Sequence, residues 1–518
     1  MKKQYLLYML FMCLFLPLKG QLNLNWQGII DDGANGSESS MISLYDDNGY
    51  VYTIGSKRPW GFNTSDLVLA KYDIFGTELW RTFYAGPSGK SEQINDAVLD
   101  QNGNLVLCGA YFNVSNKNDV LVMKYSSIGG FMWMDTIDGP AGLYDQGMAV
   151  CVDDANNYYF SGYTTDGSVK GVLIKYAPSG QRLWTKTYTG AQQAVDILFY
   201  DHHLYLNCMM GPTGSPTHAS LMKLDTAGTF ISSVTLNGAM GNHISNVIFK
   251  NDKIYMLDRR SYSAPSGAQF GVVCADTAMQ IIWDKPYISG YASEPSGLQL
   301  MDTLLFVSHT EYANSGWQQA VVRFRGISAN TGDSLFMSTL VSPAGQKDIA
   351  LSQTADTAGL VSVLITYELA PNVNRFLLAR FNSAGVQTMS NDFYDVPGFG
   401  EYSMHQVAPN TIVWNATVYD SIANNTNIST WWLSTSSTGV SDQEEKAVVY
   451  AGPVPAADHL RVFGLPAGLF NYEIINAQGC GVQRGVYDQQ ISLRIPSGFY
   501  LMKIYNGHQS FLLKFIKE

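Results

Sequence analysis

Charge is the scarcest commodity in this 518-residue chain: Asp, Glu, Lys and Arg together make up only 14% of it, against about 25% in an ordinary soluble protein. Its exposed positions must therefore be finished largely by Ser, Thr, Asn, Gln, Gly and Tyr. The charge present leans acidic, 32 basic against 43 acidic side chains for a net −11. That balance excludes a nucleic-acid partner, which needs a basic face. Cysteine is also sparse, six in all, with no Cys-x-x-Cys and no metal-ligand spacing. Catalytic signatures are missing: no G-x-S-x-G, no H-E-x-x-H, no phosphate loop and no dinucleotide fingerprint. What is plentiful is apolar material, at 46%, enough for a sizeable core.

Only one long apolar run exists, Tyr5 to Leu18, behind Lys2 and Lys3. A short basic start followed by a run below the ~20 residues of a membrane span reads as a signal peptide over residues 1–20. The expected product is an exported chain without a transmembrane segment. Removing that segment leaves Cys108, Cys151, Cys208, Cys274 and Cys480. An odd, irregularly spaced set is no disulfide framework, and buried free thiols are expected.

The strongest signal is internal repetition. Lys71-Tyr-Asp-Ile-Phe-Gly76-Thr-Glu-Leu-Trp80 recurs as Lys124-Tyr…Gly129…Trp133, as Lys175-Tyr…Gly180…Trp184 and, without its final aromatic, as Lys223-Leu…Gly228…Ser232. Degenerate copies follow at 275–283, 332–336 and 380–389, so anchors from Trp26 to Met389 fall 48 to 54 residues apart. Upstream of each lies a hairpin, with alternating apolar residues around Asn48-Gly49, Gly103 or Asn156-Asn157. Four short strands per unit, with no helical period, describe one propeller blade.

Trp26 has the signature of a fourth strand without the three that should precede it, whereas Tyr402 to Gly439 supplies three strands without a fourth. Joining them closes a ring and removes two sheet edges. The fold class expected is all-β: an eight-bladed β-propeller over residues 21–439, seven-bladed if the degenerate fourth unit is absorbed. A polar linker, 440–447, then leads to a small Ig-like β-sandwich over 448–518. The repeats resemble a bacterial β-propeller repeat family of exported proteins, which implies the fold and leaves function open. The turn-Gly-Trp pattern is also similar to the tryptophan motif of the eight-bladed quinoprotein dehydrogenases. Lacking their Cys-Cys pair and Ala-x-Asp blade opening, this chain shares blade architecture with them and no more.

The C-terminal segment carries Pro453-Val-Pro455-Ala-Ala-Asp458-His-Leu460, Ile474-Ile-Asn-Ala-Gln-Gly479 and Pro496-Ser-Gly498-Phe-Tyr500-Leu-Met-Lys503 in order. These resemble the type A C-terminal sorting domain of the type IX secretion system of Bacteroidota, with Val454 where the family has Asn. The resemblance implies passage through the periplasm, then delivery by the type IX machinery to the cell surface or medium.

One repeat position carries Glu38, Glu92 and Asp145, and looser alignment adds Gln192, Asn242, Glu294, Asp348 and Glu401. It lies where the innermost strand of each blade begins, so these side chains are expected around one channel mouth. They would either hold a Ca²⁺ ion or the polar end of a glycan or peptide, or cap turns and bind water. No other cofactor is indicated. Trp60, Tyr84, Tyr111, Tyr144, Tyr188, Tyr287, Tyr291 and Trp317 are placed in inter-strand loops, where aromatic side chains serve recognition. The functional expectation is a non-catalytic extracellular binding module for a glycan or protein. Its competitor is a secreted polysaccharide- or peptide-degrading enzyme, for which two carboxylates facing each other across a cleft would suffice.

Overall fold

The computed structural model describes residues 22–435 and 450–517, apart from the segments 32–36, 59–64, 87–90, 113–116, 212–217, 237–242, 262–267, 289–290, 314–319, 343–346, 357–358, 371–372, 394–395, 398–401, 409–410, 421–424, 453–458, 464–469, 477–480, 488–489 and 506–509 and positions 141 and 341. Residues 1–20, read as a signal peptide, and the linker 440–447 lie outside the described part. Every regular element described is a strand. The chain divides into two compact units, 1–437 and 438–518.

The first unit holds eight antiparallel sheets. Seven are built from four consecutive strands each, spanning 37–84, 92–137, 146–187, 191–236, 243–287, 292–339 and 348–393. They are blades 1 to 7. The degenerate fourth unit keeps all four of its strands, so among the described residues no unit is absorbed, consistent with eight blades. In blade 8 the outer strand is the N-terminal Leu22–Ile30, paired to Asn425–Thr435 from Leu22 opposite Thr435 to Ile30 opposite Ile428. Trp26 lies against Trp432, ring centroids 5.8 Å apart. A polar seam joins blade 8 to blade 1. The Ser40 amide donates to Thr417 Oγ1 (2.8 Å), Asn415 Nδ2 donates to Ser40 Oγ (2.8 Å), and Thr53 and Thr430 hydroxyls meet at 2.9 Å.

The repeated residues are contacts between blades. The aromatic opening each fourth strand covers the turn glycine of the next blade: a Cβ on Gly76, Gly129, Gly180, Gly228 or Gly332 would come within 2.6–2.8 Å of the indole of Trp26, Trp80, Trp133, Trp184 or Trp283. These glycines also hold φ between 72° and 89°, a region L side chains avoid. Blade 4 breaks the rule with Ser232, and blade 5 answers with Met279 at the glycine position, at φ 67°. Met279 is buried with Val234 and Leu236 of blade 4, filling the space the missing ring leaves. The repeat lysine is a second tie: Lys71 and Lys175 of Lys-Tyr and Lys223 of Lys-Leu donate to the carbonyls of Ser127, Thr226 and Thr277 in the following blade.

Within blades 1 to 7, the inner strand slips register against the second at one equivalent place: Ser40/Ile42, Ile94/Asp96, Gly147/Ala149, Ala194/Asp196, Ile244/Asn246, Pro295/Gly297 and Ala350/Ser352. A bulge there increases local twist, which blades radiating from an axis require. Cys108, Cys151, Cys208 and Cys274 are buried free thiols.

The second unit is a two-sheet sandwich. Tyr450–Gly452, His459–Phe463 and Ile491–Ser492 form one sheet; Gly481–Tyr487, Phe470–Asn476, Gly498–Tyr505 and Ser510–Lys517 form the other. Leu460, Phe470, Ile474, Ile491, Tyr500, Met502 and Ile504 make its core.

Candidate functional site

The predicted acidic position is real but closed over. Glu38, Glu92, Asp145 and Asp348 are at most 2% exposed, so they do not form an open ring around a channel mouth. The physical reason is the connection that leads from one blade's outer strand to the next blade's inner strand, which folds onto the carboxyl group. Asp145 Oδ2 accepts the Gly139 amide (2.5 Å) and Oδ1 the Thr165 amide (2.7 Å). Asp348 Oδ1 accepts the Ser342 hydroxyl (2.7 Å). Glu92 Oε1 sits so close to Gly86 that any Cβ there would collide with it. A sequence signal for this was available. Gly86-Pro-Ser-Gly89, Gly139-Pro-Ala-Gly142 and Ser342-Pro-Ala-Gly345 each begin six residues before their carboxylate.

Glu38 and Glu92 differ from the two Asp residues in that neither carboxylate oxygen makes a well-formed hydrogen bond among the described residues; nearby backbone amides, that of Gly86 for Glu92, only partly oppose the effect of burial. Burial, reinforced by Asp31, pushes Glu38 up to about 7. Burial, reinforced by Asp66, pushes Glu92 up to about 8. Burial also raises Asp145 and Asp348.

Glu294 is displaced from this position. Counting from the bulge, the equivalent of Glu92 (two residues before Ile94) is Ser293 (two before Pro295), which is fully buried. A one-residue slip turns a side chain to the other face. Glu294 accordingly points away and pairs with Arg259 of blade 5. Gln192 holds the position in blade 4, its amide donating to Gly211 O (2.8 Å). Asn242 and Glu401 lie outside the described residues.

Four residues further along the inner strand, just past the bulge, stand two carboxylates the sequence reading passed over, Asp96 and Asp196. Only two of the seven bulged strands carry an acid there, too few to stand out as periodic. Both help line a cleft of about 530 Å³ between the inner strands of blades 2, 3 and 4. Burial raises both, Asp96 to about 7. Asp96 is fully engaged: Oδ1 accepts the Ala97 amide and Oδ2 the Val150 amide of the next blade, each at 2.8 Å. It is a tie between blades.

At the opposite end of the strands, a second cleft of about 410 Å³ opens between blades 3 and 4, lined by Ser168, Lys170, Thr187, Tyr188, Thr189 and Gln192 among others. Tyr188 fixes the wall by donating its hydroxyl to Gly228 O (3.0 Å). Tyr144 and Tyr291 are in loops as expected, Tyr144 being exposed. Tyr84, Tyr111 and Tyr287 belong to strands instead, at or next to the strand ends, because the ladder continues through them: Tyr84 pairs with Leu67, Tyr111 with Glu92 and Tyr287 with Phe270. Trp60 and Trp317 are outside the described residues. Asp119, Asp138 and Asp145 each bring a carboxylate oxygen within 4.8 Å of the others, a hard-oxygen set whose chemistry fits Ca²⁺.

In the sandwich, Leu460 is a core residue, and Tyr500 donates its hydroxyl to Pro496 O (2.9 Å). Gly498 opens its strand, and Lys503 Nζ lies 5.4 Å from the Tyr505 ring centroid. Pro453, Pro455, Asp458 and Gly479 are outside the described residues.

Fold and site thus define an all-β propeller with sealed carboxylates and open polar clefts. No family model matches the sequence, and no curated protein matches it. Among solved structures, the chain is similar to the quinohemoprotein alcohol dehydrogenase from Comamonas testosteroni, at 10% identity over 83% of this chain and 79% of that one, TM-score 0.51. It also matches the WD40 domain of SCAP from fission yeast (8% identity, 80% and 98% covered, TM-score 0.44) and a protein of unknown function from Dyadobacter fermentans (10%, 80% and 99%, 0.41). At such identities the likeness concerns the fold alone.

Proposed function

We propose that the chain is an exported, non-catalytic binding propeller that takes an extracellular glycan or protein, a glycan being favoured, in the cleft between blades 3 and 4. The observation that carries this reading is the chemistry of that cleft: hydroxyls of Ser168, Thr187 and Thr189, the Tyr188 ring and the Lys170 ammonium, whose charge is met by the partly exposed Asp166 (2.7 Å), with Asp145 sealed under its loop. Neutral hydrogen-bonding groups beside an aromatic face suit a polyhydroxylated ligand. Hydrolysis would need two free carboxylates across a cleft, and Asp96 and Asp145 spend theirs on backbone amides. Ca²⁺ at Asp119, Asp138 and Asp145 would brace the connection beside this face. Residues 448–518 are the address: their motifs support Sec export, engagement of the type IX machinery, and a surface or secreted destination.

The test is a glycan and peptide array with residues 21–518, run in Ca²⁺ and in EDTA and read for binding and for product release. Saturable glycan binding without product is expected, weakened about tenfold by Thr189→Ala with Lys170→Ala. Product release would make the protein an enzyme, and binding indifferent to both substitutions would move the site elsewhere.

A further inference from the structure

The contact between blades 5 and 6 places two guanidinium groups beside a single carboxylate. His309, on the blade 6 strand Leu304–Tyr312, is fully buried, and neither ring nitrogen has a hydrogen-bond partner among the described residues. It stands directly opposite Arg323 on the neighbouring strand Ala320–Ser328, with Arg325 opposite Val307 two residues on. Opposed residues and their i ± 2 neighbours share one sheet face. That face meets blade 5, where the His309 ring lies 4.8 Å from Phe270 and the Arg325 guanidinium 5.2 Å from the Tyr287 ring.

Arg325 is 9% exposed. It donates to Ser334 Oγ (2.9 Å) and Met337 Sδ (3.1 Å), and its Nε–H has no acceptor among the described residues. One acid on this face, Glu311, is taken by Arg323 at 3.4 Å. At the rim Lys285 and Asp333 neutralise each other (3.1 Å), and the Tyr287 hydroxyl is spent on Gly332 O. Two guanidinium groups therefore share one carboxylate. The other buried cations described in the propeller have an acid at hand: Lys124 has Asp100, Arg260 has Asp258 and Asp284, Arg380 has Asp356, and Lys71 has Asp46. A guanidinium cannot escape burial by losing its proton, and an unpaired buried charge is strongly unfavourable. Histidine offers no relief as a counter-charge, since burial and the two arginines hold it neutral, its pKa lowered to about 3. In that form the ring presents one N–H donor.

We infer that a small monovalent anion, chloride under ordinary conditions, binds between blades 5 and 6, held by the Arg325 Nε–H and a His309 ring N–H. The Phe270 and Tyr287 rings form its apolar walls. An anion accepting from both groups explains at once why two buried donors on one face bond to no protein atom and to neither each other.

The experiment is thermal melting of the purified full-length chain in sodium chloride, sodium bromide and sodium gluconate at equal ionic strength. Chloride and bromide should raise Tm above gluconate by about 1–3 °C, saturating with concentration as a single site does. Arg325→Met should abolish the difference between salts whatever it does to the baseline. If that variant fails to fold, His309→Phe should shrink the difference. Crystals grown in bromide should show an anomalous peak within reach of Arg325 Nε. Equal melting in all three salts, or a water without anomalous signal at that place, would overturn the inference.

Discussion

At the scale of single residues, the unusual groups are Glu38 and Glu92, buried carboxyls whose oxygens make no well-formed hydrogen bond among the described residues. Each is expected to be protonated in the folded state well above the ordinary carboxylate range, Glu92 up to about 8 and Glu38 up to about 7, with burial the main cause. Unfolded, both return to the model-peptide range near 4.5. Between those limits the folded state binds more protons than the unfolded one, so stability falls as pH rises through this window. In urea unfolding from pH 5 to 8.5, the midpoint should fall toward the alkaline end. Glu92→Gln keeps the shape of a neutral carboxyl, so it should flatten that slope and match or exceed the parent at pH 8.5. A Glu92→Gln profile parallel to the parent's would show that this carboxyl is ionised in the fold.

At the scale of elements, the repeats were legible because their residues touch across blades. Lys-Tyr, the turn glycine and the aromatic recur every 48 to 54 residues because each blade must fit the next in the same way. The degenerate pair Ser232 and Met279 obeys the same constraint with the partners exchanged: a small residue where a ring belongs, a large one where glycine belongs. Restoring the ring alone, with Ser232→Trp, should overpack the space Met279 fills and cost about 1–3 kcal/mol. Met279→Gly alone should leave a cavity, offset in part by relief of a strained φ. Together they should recover most of the loss, giving a coupling energy of about 1–3 kcal/mol in a double-mutant cycle on urea midpoints. Additive effects would mean the two positions do not form the inter-blade contact.

The candidate site was less legible for a different reason. A column of acids at the start of the inner strands says where the backbone goes, but not whether the next loop leaves a side chain open or folds over it. Asp145 and Asp348 became loop partners because Gly139 and Ser342 bring donors back onto them. Glu294 fell out because the bulge, invisible in spacing alone, puts Ser293 in register instead. Asp96 and Asp196 went unread because an acid at two of seven equivalent places leaves no period.

At the scale of the whole molecule, ring closure and the proposed export signal fall in different parts of the chain. The ring closes on Leu22–Ile30 and on the seam between blades 8 and 1, all inside residues 22–435. The sandwich has its own core and belongs to a separate compact unit. Deleting residues 448–518 should therefore leave the propeller's far-ultraviolet spectrum and main melting transition unchanged. The same deletion, made in a bacterium that has the type IX machinery, should hold the folded propeller in the periplasm while the full chain reaches the surface or medium. Fractionation followed by melting of the retained material reads both halves of the prediction. A truncated chain that is exported as well as the full one would remove the sorting role. A truncated chain that no longer melts cooperatively would mean instead that the sandwich completes the propeller, and that eight blades with a borrowed N-terminal strand are not self-sufficient.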